Sequence, residues 1–500
     1  MLLGIALIPV ILVHIPPLVD YPNHMARMHI LADAGRSPWL SQYYEIHWDI
    51  LPNLAMDMLV PPLTRFVSVE TAGKVFIGLT FALLVGSVMT LHAALHRRWS
   101  PWPLLAVFFL YNSVFLWGFL NYLFGLGLAL FACALWMILR KRPAALVIPV
   151  FSLVTTILFF SHLFAFGIFA MVILTYEFAQ WWNHRRETAR TLETPGWKAL
   201  PGIALALLLL TMAPTFKSNP DDYPLWLRGS PPPSAVTLSP LTVKLESLKG
   251  TIRTEHQGLD RVTALALIGL AGIGLVLRRW CVLPSMYLPL VLVAVAAAVM
   301  PSTIGTTALV DIRLPIALVL LTIASSDWPI TRRRWLVPVA LILSTLFVVR
   351  MTAITDHWRE TDRHYTQFVQ QLDRLPQGTR LLSAIMLASY YEWSPRASRV
   401  PEPMPMVNLS CWGVIRRAVF VSNLFSAPGQ QPVQLTPAVR PLLTVEEFLL
   451  HAAPIPWNLI SAQYDYVVVR RSQRLTPPVP LTFIPVGSGD EFQFYRTERR

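Results

Sequence analysis

Apolar runs recur eleven times through the first 350 residues of this chain, and no water-soluble fold can absorb so many. They lie at roughly 1–19, 72–95, 103–118, 120–139, 144–161, 163–182, 199–215, 261–277, 282–300, 313–326 and 336–350. A helix that crosses a bilayer needs about 17–25 mostly apolar residues, so each run is a candidate span. Only 14% of the residues are charged and 54% are hydrophobic, whereas a soluble domain carries about 25% charged residues. The expected architecture is an all-α polytopic membrane bundle.

The basic residues set its orientation. Fourteen of the 41 lysines and arginines fall in five short connections, marked by Arg97-Arg98, Arg140-Lys141-Arg142, Arg185-Arg186, Arg278-Arg279 and Arg332-Arg333-Arg334. These are every second connection, so all five share one side, the cytoplasm by the positive-inside rule. Eleven spans with that phasing begin inside and end outside. The net charge of +13 is therefore a topology signal. No basic stripe or nucleic-acid motif accompanies it, and nucleic acid is excluded as a partner.

The outer side then holds a long first loop at 20–71, a Pro-rich loop at 216–260 with Pro231-Pro232-Pro233, a short loop with Asp311 and Arg313, and the tail 351–500. The tail pairs a helical pattern at 356–375 with strand-like runs at 379–387, 418–422, 465–470 and 492–496. It reads as a small extracytoplasmic α/β domain resting on a transmembrane domain that covers 1–350. Cys133, Cys281 and Cys411 give neither a disulfide framework nor a metal-ligand spacing.

The most informative stretch follows the first run: Asp20-Tyr21-Pro22-Asn23-His24-Met25-Ala26-Arg27. Asp20 suits an N-cap, Pro22 the first turn and Gly35 the stop, which predicts a helix over 21–34. Asp20, His24 and Arg27 then form one stripe. The plain alternative is a capping aspartate with two interfacial side chains. Polar groups recur at the same depth on other spans: Asn121 with Tyr122, His162, and Asp311 with Arg313. Ionisable groups at membrane depth are costly and are usually kept for a site. Taken singly, His162 also fits a packing role, and Asp311 and Arg313 also fit a mutual pair. Asp49, in the stretch leading into a second short interfacial helix near 53–58, and Asp57, within it, are candidate second carboxylates or solvated caps.

This arrangement resembles the GT-C superfamily of membrane glycosyltransferases: a first span ending in an acidic residue, a long outer loop, many further spans and an outward C-terminal domain. Asp20 is followed by Tyr21 and Pro22 where many members carry a second acidic residue. The resemblance implies an inverting transferase in the inner (plasma) membrane that takes its sugar from a polyprenyl-phosphate donor. The acceptor would be an extracytoplasmic glycan, lipid or protein. In that chemistry Asp20 is the catalytic base, and His24, Arg27, Asn121, His162, Asp311 and Arg313 bind substrate and phosphate. A divalent cation is left open. A transporter or lipid flippase, and a non-catalytic envelope-assembly subunit, are the competing readings. The first would favour repeat symmetry and charges at the bilayer midplane, neither of which the sequence carries.

Overall fold

The computed structural model describes residues 1–187, 195–214, 236–237, 240–304, 307, 309–328, 333–385, 405–443, 455–470 and 479–498. Pro231-Pro232-Pro233 and Arg332 lie outside them.

The chain is about 65% helical. Helices that matter below are α1 Leu2–Leu12, α2 Tyr21–Asp33, α3 Ala55–Leu63, α4 Val69–His96, α5 Leu120–Leu139, α6 Ala144–Ser161, α7 Leu163–Glu187, α8 Leu200–Met212, α9 Leu241–Lys249, α10 Gln257–Val276, α11 Tyr287–Val299, α12 Arg313–Ser325 and α13 Arg333–Leu372. Among the described residues, six of these (α4, α5, α6, α7, α10 and α13) are long and apolar enough to cross a membrane, and α1, α8, α11 and α12 are shorter apolar helices. Large apolar side chains point outward from them. Leu265, Ile268 and Val276 on α10 are 69%, 67% and 83% exposed, a surface that only lipid or another apolar partner can cover.

Two expectations about the spans change. The run 103–118 is no spanning helix. It forms a 3-10 turn, Trp102–Phe109, and a four-residue helix, Ser113–Leu116. Pro103 lacks an amide to donate, and the Asn112 side chain takes the Phe115 amide at 3.0 Å, so the backbone is drawn out of a continuous helix. The expected break between the last span and the 356–375 helix is also absent. From Val339 to Leu372 there is neither glycine nor proline, and α13 runs unbroken for 40 residues, roughly 60 Å at 1.5 Å per residue.

The far half of α13 carries the C-terminal sheet. Its five strands lie in the order Ile484–Ser488, Phe492–Arg496, Tyr466–Arg470, Arg380–Ala384, Phe420–Val421, with parallel pairing of Arg380–Ala384 to both of its neighbours. Phe368 packs its ring 4.8 Å from Phe492 and 5.2 Å from Phe494, which fixes sheet to helix. The first loop joins this unit as well: Tyr44–Ile46 pairs antiparallel with Val433–Leu435.

The described parts of the connections bearing basic clusters gather at one end of the bundle. Arg98 pairs with Asp327, Cys281–Val282 pairs with Ser326–Asp327, and Lys198 reaches the Arg142 carbonyl at 2.9 Å. The first loop and the starts of α5 and α12 form the other end, where the candidate site lies.

Candidate functional site

Beyond α1 the chain is held against the turn that closes the broken run 103–118. The Val19 amide donates to the Leu116 carbonyl at 2.9 Å and the Asp20 amide to the Trp117 carbonyl at 3.2 Å. Gly118 makes this approach possible. Its φ is +84°, and a Cβ there would stand 2.8 Å from the Asp20 nitrogen, so a side chain is excluded on both counts.

Helix α2 starts and stops where its sequence predicts, with Pro22 in the first turn and Ala34 left-handed at the end. Asp20 occupies the cap position, but its backbone is already helical and its side chain makes no capping bond. The plain reading of a capping aspartate therefore does not hold. The carboxyl turns instead toward the C-terminal unit. Asn408 donates from one amide nitrogen to Asp20 Oδ1 at 3.3 Å and to the Val19 carbonyl at 3.0 Å. Burial pushes the Asp20 carboxyl up to about 7, against the downward pull of Arg313 and Arg27.

His24 lies one turn on, beside the Gly118 backbone, and burial with the nearby Arg27 lowers it to about 3. It is a neutral imidazole at physiological pH. Its Nδ1 is buried with no hydrogen-bond partner among the described residues.

Arg27 and Asp57 correct two expectations. Arg27 donates from Nε and Nη2 to the two oxygens of Asp57, at 2.7 and 3.0 Å. This pair fastens α2 to α3, so Asp57 is neither a second site carboxylate nor a solvated cap, and most of Arg27 is spent in holding it. Asn121 is likewise structural. It accepts from the Met56 amide and donates to the Asn53 carbonyl, both at 2.8 Å, clamping the start of α3. Asp49 is exposed and takes no place in the cluster.

Arg313 opens α12 and is buried, with its guanidinium over the rings of Phe119 at 4.6 Å and Phe164 at 5.3 Å. Its backbone carbonyl accepts from the Tyr122 hydroxyl at 2.5 Å. His162 stands edge-on to Tyr122 at 5.3 Å, and its Nδ1 accepts from the Phe164 amide at 3.1 Å. Gly125 gives His162 its room: a Cβ there would lie 3.1 Å from that of His162. Asp311 pairs with Lys244 of α9 at 3.4 Å, a partner not expected from sequence.

The structure thus brings together Asp20, His24, Arg313 and His162, places Arg27 beside them already paired, and leaves Asp49 outside. It adds groups that sequence did not single out. Asn23 donates to the Asn423 carbonyl at 2.7 Å and accepts from the Phe425 amide at 2.9 Å. Asn408 accepts from Asn423 at 3.3 Å. These amides tie α2 to the C-terminal unit directly behind Asp20. The polar Asn408 and Ser410 within an otherwise apolar run, 406–412, were the available signal.

A divalent cation does not fit at Asp20. One carboxylate faces two guanidinium charges, and the acid paired with Arg27, Asp57, is sealed by it. At the basic end, however, the structure gathers His92, His96 and Asp327, a set for which the sequence showed no ligand spacing beyond an i, i+4 histidine pair.

Comparison with known protein families, with curated proteins and with solved structures gives no match for this chain.

Proposed function

We propose that this chain is a membrane glycosyltransferase of the GT-C type, which moves a sugar from a polyprenyl-phosphate donor to an acceptor on the extracytoplasmic side. The observation that carries the reading is Asp20: a half-buried carboxyl that caps nothing and is desolvated enough to titrate near neutrality, with a buried arginine as its electrostatic neighbour.

Such a pair suits glycosyl transfer from a phosphate donor. The acceptor hydroxyl gives its proton to Asp20 as its oxygen bonds to the anomeric carbon. The bond from that carbon to the donor phosphate breaks on the opposite face, with inversion, and the phosphate leaves with the electron pair. A carboxylate titrating near the working pH is well matched to that proton transfer. The leaving phosphate needs positive charge more than an acid, and Arg313 supplies it from a site walled by Phe119 and Phe164, where a guanidinium acts more strongly than in water. Neutral His24 and His162 offer hydrogen bonds without changing the charge balance.

In this reading eleven membrane-crossing segments, some short or broken like 103–118, place the C-terminal sheet outside the inner membrane. The sheet unit then forms one wall of the acceptor site through Asn408. The test is a proteoliposome assay with labelled polyprenyl-phosphate sugars and candidate acceptors. Formation of glycosylated acceptor by the purified chain supports transfer. Movement of the intact donor across the bilayer with no product would replace it by the flippase reading.

A further inference from the structure

At the end of the bundle remote from Asp20, two imidazoles and a carboxylate meet in a largely buried cluster, with His92 and Asp327 buried and His96 half-buried, that the transferase reading does not use. His92 and His96 lie one turn apart on α4, their rings stacked at 4.3 Å. Asp327 comes from the end of α12, held by a two-residue strand pairing that sets it opposite Cys281. Gly73, which packs against Tyr21 and Met25 of α2, precedes His92 on the same helix by about 29 Å at 1.5 Å per residue. The cluster and Asp20 are therefore separate sites.

We propose that His92, His96 and Asp327 form a binding site for a divalent cation of the zinc class. One ligand atom from each residue lies within 4.8 Å of the other two. His92 Nε2 already stands 3.6 Å from Asp327 Oδ1, close to the ~3.3 Å that separates ligand atoms in a tetrahedral zinc site with 2.0 Å bonds. His92 is 0% exposed and Asp327 2%. Neither ring nitrogen of His92, nor Nε2 of His96, has a hydrogen-bond partner among the described residues. The backbone of Ser325 and Ser326 approaches the rings without a well-formed bond. Buried polar nitrogens are normally satisfied; an ion would take one nitrogen of each ring, Nε2 in both, and leave His92 Nδ1 as that ring's N–H.

The carboxylate has the outer support that ligating carboxylates show. Ser100 donates to Asp327 Oδ1 at 3.2 Å and Arg98 bonds Oδ2, which leaves Oδ1 facing the histidines. Two nitrogens and one oxygen suit zinc better than calcium or magnesium, which prefer oxygen alone. Bound there, the ion would tie the end of α4 to the end of α12.

The test uses the full chain in nanodiscs, stripped with chelator and titrated with Zn2+. We expect one tight equivalent per chain, with affinity reduced at least tenfold in His92→Gln, His96→Gln and Asp327→Asn. Wild-type affinity in all three variants, or no uptake by the native chain, overturns the site. X-ray absorption on the zinc-loaded wild-type protein reads the ligands without any variant. Scattering from two imidazoles is the expected signature, and a shell without imidazole contradicts the assignment.

Discussion

Arg27 and Asp57 meet in a two-bond ion pair from which solvent is wholly excluded, with both side chains 0% exposed. The pair joins the helix that begins at Asp20 to the short helix α3 of the first loop. Removing one partner strands a buried charge. Asp57→Ala or Arg27→Ala should each cost about 3–5 kcal/mol, seen as a lower melting temperature in detergent. The double replacement Arg27→Met with Asp57→Leu should recover most of that loss, because an apolar pair of similar volume carries no desolvation penalty. Equal destabilisation in the double and single variants would show that the pair is not the source.

The titration of Asp20 gives a pH prediction. Its carboxyl sits near 7 because burial outweighs the pull of Arg313 and Arg27, so transfer should rise with pH along a limb centred close to neutrality. Arg313→Gln removes one of the groups that lower it, and the limb should move to higher pH. Neutral His24, held at about 3, should add no limb between pH 5 and 8. For stability the sign is opposite to that of an ordinary paired carboxylate. The folded chain binds this proton more tightly than the unfolded one, so the contribution is complete below a pH of about 4 and is lost as pH rises through 7. Melting temperatures of wild type and Asp20→Asn, followed from pH 5 to 8, should diverge with the variant gaining.

Gly118→Ala tests the ledge on which Asp20 rests. The added Cβ meets the Asp20 nitrogen at 2.8 Å, on a backbone at φ +84°, a combination expected to cost about 1–3 kcal/mol. Activity should fall further than that stability loss explains, since the displaced atoms belong to Asp20 itself. A variant with normal turnover would remove the ledge from the account.

Asn408→Ala should release the C-terminal unit from Asp20. Losing hydrogen bonds to the carboxyl and to the Val19 carbonyl should lower kcat about 10- to 100-fold, with a smaller effect on KM for the donor. A change confined to melting temperature would make Asn408 a structural tie alone.

The sequence made some of this legible because local rules sufficed. Pro22 and Gly35 bound α2 within a residue, and the apolar runs that became α4, α5, α6, α7 and α10 carry their own periodicity and length. Local rules failed where distant contacts decide. An aspartate before a helix reads as a cap, and only the fold reveals Asn408 388 positions away as its partner. Arg27 looked available for phosphate because nothing local announces Asp57. The run 103–118 had the hydropathy of a span, while Pro103, Asn112 and Gly118 carried the contrary geometry. The continuity of α13 through residue 350 was written in the absence of helix breakers, which a hydropathy boundary obscures. His92 and His96 drew no notice as an i, i+4 pair, because their third member lies 231 residues beyond His96 in the sequence.

The proposed role of Asp20 as the base that accepts the acceptor proton is tested most directly by single-turnover transfer with Asp20→Asn, alongside equilibrium binding of the polyprenyl-phosphate sugar. Binding within about threefold of wild type, with transfer slowed by about 10²–10⁴, is the expected result. Transfer at the wild-type rate by a chain lacking that carboxylate would contradict it.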